Sequence, residues 1–484
     1  MKEGTSLGVS SPSLKHHCGL FGVYGHPDAV LLTYLGIYAQ QHRGQEAAGI
    51  CSVGSGGPIQ RYANMGLVTT VFHNKRILDE LRNPHAIGHV RYSTTGSCHN
   101  INCQPILVNY ARGQVAVAHN GNLINAGLLR KEFEEDGAIF NTTSDSEVIL
   151  HLLARPAHLD KPNVIPHVLG HLQGAYSLLF LFPDRMVAAR DPFGFRPLVL
   201  GELENGGIAV ASETCAFDII NAKLLREVEP GEVVTITDKG MQSSRIVPGD
   251  VFRPAYCIFE QIYFADPASD VFGENVHKVR QAMGAQLARE APVEADAVIP
   301  VPNCARCAAM GYARASGILY ERGFTTNHYV GRSFIMPEQV QRDLVVRMKL
   351  NVIKQNVHGR RLVVVEDSVV RGTTTRGKIG ALRQAGAKEI HLRVASPPIR
   401  HPCHFGIDFP TQQELIANQR SIDEIRNYLG VDSLHYLSLE GMLSCVKHPA
   451  RHYCTACFSG QYPMPVDQQI GKFALERHQL KMFE

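Results

Sequence analysis

The stretch from Arg361 to Thr375 (RLVVVEDSVVRGTTT) sets two adjacent carboxylates, Glu366 and Asp367, directly after an uninterrupted β-branched run and directly before small and hydroxyl-bearing residues. The run predicts a buried parallel strand, and the segment that follows is compatible with a helix through Gln384. A strand, loop and helix in that order can hold an anion. Backbone N–H groups of residues 368–374 point at a phosphate, the helix N-terminus adds partial positive charge, and the Ser and Thr hydroxyls donate further hydrogen bonds. Glu366 and Asp367 would repel phosphate, so they suit sugar hydroxyls or a Mg²⁺ that accompanies pyrophosphate. The plain alternative is an ordinary strand end followed by a capped helix.

The order of strand, acidic pair and phosphate cradle resembles the phosphoribosylpyrophosphate (PRPP) motif of the phosphoribosyltransferases. That resemblance implies PRPP binding by Glu366, Asp367, Ser368, Arg371, Gly372, Thr373 and Thr374, with Mg²⁺ held at Glu366 and Asp367.

A second set of residues lies upstream. Cys18-Gly19 opens an apolar, glycine-punctuated strand after seventeen residues of almost no apolar content. A lone cysteine there would ordinarily be buried filler. Four further segments, Gln41–Glu46, Gly88–Thr94, His119–Leu123 and Thr143–Glu147, together with Cys18-Gly19 resemble the glutaminase domain of the N-terminal-nucleophile amidotransferases. The resemblance implies that residues 1–17 are a propeptide and that Cys18 becomes the first residue. Its freed α-amine titrates near 7.7–8.0 and can take the thiol proton, which a peptide nitrogen cannot do. By the same resemblance Arg91 clamps the glutamine α-carboxylate, Asp145 accepts from its α-ammonium, and Asn120 with the Gly121 N–H forms the oxyanion hole. Taken singly, an Arg–Asp surface pair and an Asn-Gly hairpin turn explain some of these residues equally well.

The elements that must position these groups divide the chain. At 484 residues it exceeds one core and suggests two or three domains. Runs at 178–182, 198–200, 207–211 and 232–237 read as strands, and Pro248-Gly249 marks a boundary; Arg190–Leu198 holds two Pro-bounded turns, which the glutaminase resemblance implies are structural rather than catalytic. From Cys257 the pattern alternates helix and strand: an amphipathic helix at Val276–Glu290, strands at 298–302, 363–365 and 389–395, hence βαβ units and a parallel sheet. Together with these elements, the two resemblances imply a propeptide (1–17), an αββα N-terminal-nucleophile glutaminase sandwich (18–250), a type I phosphoribosyltransferase domain (251–410), and a C-terminal helical segment bearing cluster ligands (411–484).

Forty-eight basic against 45 acidic residues, a net charge of +3, give no case for nucleic-acid binding. There is no run of about 18 apolar residues to cross a membrane and no signal-peptide core, so a cytoplasmic protein is expected. In that compartment 12 cysteines favour nucleophile, metal or cluster roles over disulfides. Spacing alone suggests four-thiolate zinc on the pairs Cys304/Cys307 and Cys454/Cys457.

From Cys18 to about Cys457 the chain resembles the glutamine PRPP amidotransferases, with Gly331–Ile335 and Val346–Asn351 similar to a loop that closes over PRPP. This resemblance selects another quartet, Cys257, Cys403, Cys454 and Cys457, as ligands of a [4Fe–4S] cluster, and leaves Cys51, Cys98, Cys103, Cys215 and Cys445 to packing. It implies glutamine and PRPP as substrates, feedback by purine nucleotides and a homo-oligomer. One departure is Asn303-Cys304 where the family usually shows Asp-Ser; Cys304 is a poor Mg²⁺ ligand and is not assigned to the metal. Two other readings fit the same residues: a glutaminase serving another acceptor, or a non-catalytic binder of PRPP or nucleotide.

Overall fold

Two antiparallel sheets face each other in the first half of the chain. The first has seven strands in the order Lys223–Glu227, Val199–Glu202, Ile208–Ala211, Gly19–Tyr24, His85–Arg91, Ala47–Val53 and Gln60–Met65. The second has six: Gly240–Arg245, Glu232–Thr237, Met186–Arg190, Gly174–Leu181, Gly113–Leu123 and Ile106–Tyr110. Strand Gly19–Tyr24 is buried along its whole length because it is central in its sheet and covered on both faces. Leu20 and Ile87 from the first sheet meet Ala116, Leu179, Ala188 and Val234 from the second, forming the core between them. Helix Ala29–Ala39 covers the outside of one sheet, and helices Ala126–Glu135, Ser146–Ala154 and Val164–Leu169 cover the other. This is the expected αββα sandwich.

The computed structural model describes residues 18–54, 56–92, 99–161, 163–246, 254–326, 350–407, 409 and 411–466. Residues 1–17, expected to be a propeptide, the expected boundary at Pro248-Gly249, the loop stretches 331–335 and 346–349, and residues 467–484 lie outside the described residues.

In the second half a parallel sheet runs Ala297–Pro300, Arg361–Glu366, Glu389–Val394 and Ser433–Tyr436. Helices Val276–Glu290 and Arg306–Ser316 pack on one face through Val279, Met283, Leu287 and Tyr312. Helices Thr373–Gln384 and Ile422–Leu429 pack on the other through Ile379, Leu382, Ile425 and Leu429. Helix Val276–Glu290 has the bounds its periodicity predicts, and its start is fixed by the Asn275 side chain accepting from the Lys278 N–H. Part of the expected helical segment 411–484 is instead the fourth strand, Ser433–Tyr436, parallel to Glu389–Val394. Its pairing partner is over forty residues distant, and four residues carry too little periodicity to reveal a strand.

The turn at 190–197 joins the halves and has the structural role expected of it. Asp191, fully buried, accepts from the N–H groups of Tyr176 at 3.2 Å and Phe193 at 2.9 Å. Phe195 stacks on Phe405 with ring centroids 4.4 Å apart, and Arg196 donates to the Phe405 carbonyl at 2.7 Å. Among the described residues, no helix is long and apolar enough to cross a membrane.

Candidate active sites

Cys18 lies at the entry to the central strand, with its Sγ 3.5 Å from the carbonyl oxygen of Tyr92. Burial pushes its thiol up to about 11; Arg91 opposes this, while Asp145 and Glu46 add to it. A thiol so hard to ionise needs a base beside it to react at neutral pH. The same charges locate the expected glutamine-binding pair. Arg91 ends the adjacent strand His85–Arg91 and Asp145 immediately precedes helix Ser146–Ala154, both buried and both felt by the thiol. Asp145 Oδ2 accepts from the Leu123 N–H at 2.9 Å, tying the carboxylate to the strand that carries Asn120 and Gly121.

Asn120 is fully buried, and neither atom of its side-chain amide has a hydrogen-bond partner among the described residues. An unsatisfied buried amide costs about 1–3 kcal/mol, so its retention suits a group that receives a ligand. At Gly121 a Cβ would lie 1.9 Å from the Ala175 carbonyl oxygen, so the backbone can follow this path only as glycine. Behind the pair, His119 is held by Ser146 Oγ at 3.0 Å and its N–H by Gln104 Oε1 at 2.7 Å.

Residues given no role from the sequence complete this site. Arg43 Nε donates to the Cys18 carbonyl at 3.1 Å, and Arg43 is paired with buried Glu213 and with Glu260. Arg196 joins Glu260 at 3.2 Å. Arg43 stands within the Gln41–Glu46 stretch, yet its partners, 170 and 217 residues away, leave no local signal.

At the second site, Glu366 closes strand Arg361–Glu366 and Asp367 and Ser368 follow it, all three buried. Burial pushes both carboxyls up, with mutual repulsion adding to it in Glu366 and Lys378, 3.4 Å from Glu366, opposing it. Ser368 Oγ donates to Asp367 Oδ1 at 2.8 Å. Gly372 caps helix Thr373–Gln384 at φ +74°, a left-handed conformation that suits glycine, and brings Thr373 and Thr374 into the first turn. The first-turn N–H groups of that helix have no intrahelical acceptors and are the donors a phosphate needs. Arg371 is turned aside into a partly exposed pair with Glu414 at 3.2 Å. The neighbouring parallel strand Ala297–Pro300 delivers the loop containing Cys304, whose thiol burial pushes up to about 12, with Asp367 and Glu366 adding to the effect. Two buried carboxyls at the carboxyl end of a parallel sheet suit a divalent cation with hard oxygen ligands, and Cys304 does not.

The cysteines choose between the two expected quartets. Cys257, Cys403, Cys454 and Cys457 line one enclosed pocket with Phe195, Phe259 and Phe405. Strands Tyr256–Cys257 and Tyr453–Cys454 pair in parallel, bringing Cys257 opposite Cys454. Cys304 and Cys307 lie elsewhere: the first faces the acidic pair and the second has its Sγ 3.1 Å from His277 Nδ1. Zinc on the two C-x-x-C pairs is therefore set aside, because sequence spacing does not bring those pairs together. Four thiols in an apolar pocket, with the Arg196 guanidinium acting on Cys257 and Cys403, suit a thiolate-ligated cluster. Cys51 and Cys103 are buried, Cys215 and Cys445 half-buried, and Cys98 lies outside the described residues.

Comparison with known proteins agrees with this geometry. A glutamine amidotransferase domain model matches residues 89–218. Amidophosphoribosyltransferase 2, chloroplastic, of Arabidopsis thaliana is 47% identical over 461 residues, covering 94% of this chain and 81% of that one. Amidophosphoribosyltransferase of Bacillus subtilis is 46% identical over 463 residues, covering 94% and 96%. A solved structure described as the allosteric regulatory enzyme of purine biosynthesis superposes with a TM-score of 0.89 at 45% identity, covering 95% of this chain and 99% of that one. With identity at this level over nearly the whole length, the chain belongs to the amidophosphoribosyltransferase family.

Proposed function

We propose that this chain transfers ammonia from glutamine to PRPP, giving 5-phosphoribosylamine, glutamate and pyrophosphate, the first committed step of purine nucleotide synthesis. The Cys18 thiolate attacks the glutamine side-chain amide carbon, and the α-amine freed by loss of residues 1–17 accepts the thiol proton. Asn120 and the Gly121 N–H receive the oxyanion, Arg91 binds the α-carboxylate and Asp145 the α-ammonium. Ammonia leaves, water releases glutamate from the thioester, and the ammonia passes within the protein to displace pyrophosphate from ribose C1. Glu366 and Asp367 hold the ribose hydroxyls or the Mg²⁺, while Ser368, Gly372, Thr373 and Thr374 cradle the 5-phosphate; Arg371 joins them by exchanging Glu414 for phosphate. Mg²⁺ held at Glu366 and Asp367 would supply charge neutralisation for the leaving pyrophosphate.

A [4Fe–4S] cluster on Cys257, Cys403, Cys454 and Cys457 has a structural role, since the reaction transfers no electrons. The glutaminase unit spans 18–250, and the transferase unit begins at 251 and takes in the strand Ser433–Tyr436. A Bacillus subtilis relative has been solved with ADP and GMP, which supports nucleotide feedback here; a homo-oligomer in the cytoplasm completes the reading.

The observation that supports this most directly is the unpartnered, fully buried amide of Asn120 on the strand that Asp145 ties to the Cys18 site. One incubation with glutamine, PRPP and Mg²⁺ tests it. Equal yields of glutamate and pyrophosphate support the transfer. Glutamate alone would mean another acceptor, and neither product a non-catalytic binder.

A further inference from the structure

The outer helix layer of the first half carries three histidines that the proposed reaction does not use. His158 lies in the helical turn Pro156–Leu159, His167 in helix Val164–Leu169, and His171 two residues beyond that helix. His158 Nδ1 is 2.9 Å from His167 Nε2. Ring centroids are 4.9 Å apart for His158 and His167, 5.0 Å for His158 and His171, and 5.2 Å for His167 and His171. One nitrogen from each ring lies within 4.8 Å of the other two, and among the described residues no other group of three or more His, Cys, Asp or Glu side chains does this.

That spacing is close to what one ion requires. Metal–nitrogen bonds of about 2.0–2.1 Å in a tetrahedron put ligand nitrogens roughly 3.3 Å apart, so rotamer adjustments suffice. His158 is buried, His167 half-buried and His171 exposed, which closes one side of the triad and opens the other to solvent. The mounting is firm: Ile165, Val168 and Leu169 are buried in the core, and Tyr176 Oη donates to the Leu169 carbonyl at 3.2 Å. Lys161 and Arg155 are the nearby cations that oppose a metal, and the charge of Arg155 is offset by Glu132 at 2.7 Å and Asp136 at 3.0 Å. An all-imidazole set favours zinc, copper, nickel or cobalt over magnesium or calcium.

We propose that His158, His167 and His171 form a three-imidazole site for one divalent transition ion of the zinc class, with a fourth coordination position open to water. A bound ion replaces the single His158–His167 hydrogen bond with three coordinate bonds and clamps the turn Pro156–Leu159 to helix Val164–Leu169. It therefore stabilises the folded state by an amount that grows with the logarithm of the free ion concentration above its Kd.

The test uses full-length protein, purified anaerobically so that the other thiol sites keep their state, and titrated with Zn²⁺ and separately with Mg²⁺ by calorimetry and thermal unfolding. Because zinc can also reach cysteines, the readout is the difference between wild type and variants of the two more accessible ligands, His171→Ala and His167→Ala. The expected result is one stoichiometric zinc site in wild type, weakened at least about 10-fold in each variant, with the zinc-induced rise in melting temperature lost and no response to Mg²⁺. Absence of a stoichiometric site in wild type overturns the proposal, as does unchanged affinity in both variants. Circular dichroism establishes that the variants are folded, and either one alone suffices for the comparison.

Discussion

Arg43 donates from Nε to the backbone carbonyl of Cys18 at 3.1 Å while its terminal nitrogens reach Glu260, in the second half of the chain, at 2.8 and 3.0 Å. The backbone of the candidate nucleophile is therefore held by an ion-pair network rooted in the opposite half of the molecule. Both side chains are wholly buried, so removing Glu260 leaves Arg43 to Glu213 and takes from the buried Arg196 the carboxylate it meets.

Glu260→Gln is expected to destabilise the fold by about 3–5 kcal/mol. In protein that remains folded, the ratio of glutamine-dependent to ammonium-dependent synthesis should drop at least about 10-fold, since a small displacement of a nucleophile is costly. Both rates measured on one preparation decide this, and equal loss of the two would remove the Arg43–Cys18 contact from the positioning of the thiol.

Cys18→Ala should cut glutamine-dependent turnover by more than about 10³-fold yet spare synthesis from added ammonium. Intact mass of active wild-type protein should correspond to a chain starting at Cys18. Turnover of glutamine by protein that still carries Met1 to His17 contradicts the free-amine mechanism.

Asp367→Asn should impair both nitrogen sources to the same degree, by roughly 10²-fold or more, because its partner is PRPP or the associated metal. If ammonium-dependent synthesis proceeds at the wild-type rate, Asp367 is not part of the site.

Anaerobically purified protein should be brown and contain iron and sulfide. Cys403→Ser should lose colour and folding stability, whereas Cys307→Ser, which alters the thiol beside His277, should keep both. Colourless protein with stoichiometric zinc that disappears on Cys307→Ser would reverse the assignment.

His42 supplies a pH test. Burial lowers its tendency to charge, but Glu213 at 2.9 Å outweighs this and raises its pKa above 6.5. A histidine raised in the folded state stabilises fully below its unfolded pKa, near 6.5, and loses that contribution as pH rises through its folded value. His42→Gln should therefore cost about 1–2 kcal/mol at pH 6 and less at pH 9, read from denaturant midpoints at the two pH values. A cost independent of pH would show that His42 is not charged in its pair with Glu213.

The strand Arg361–Glu366 and the helix ending at Gln384 were legible because a β-branched run and a glycine before hydroxyl residues are local signals. Helix Val276–Glu290 was legible from periodicity alone. The Arg43, Glu213 and Glu260 network was not, because a buried charge reads locally like any solvated one until its partners arrive from elsewhere. Cysteine spacing singles out Cys304 and Cys307 as a compact motif, whereas Cys257 and Cys454 meet only through a parallel strand pair closing 197 positions apart, which spacing does not reveal. Arg371 has the right charge for phosphate, but no sequence pattern foretells its pairing with Glu414.

The loop that carries Cys403 also touches the first half. His404 accepts from Asn122 Nδ2 at 2.8 Å through its carbonyl, and a Cβ on Gly406 would stand 3.0 Å from the carbonyl carbon of Gly121. Main chain thus meets main chain where the halves join. Where backbone lies this close to backbone, no side-chain change can restore the fit, so a foreign glutaminase shuffled onto this transferase is expected to need glycine at both positions and an unaltered loop length between Cys403 and Gly406. The two halves read as separate modules, yet this contact ties the fit of one to the backbone of the other.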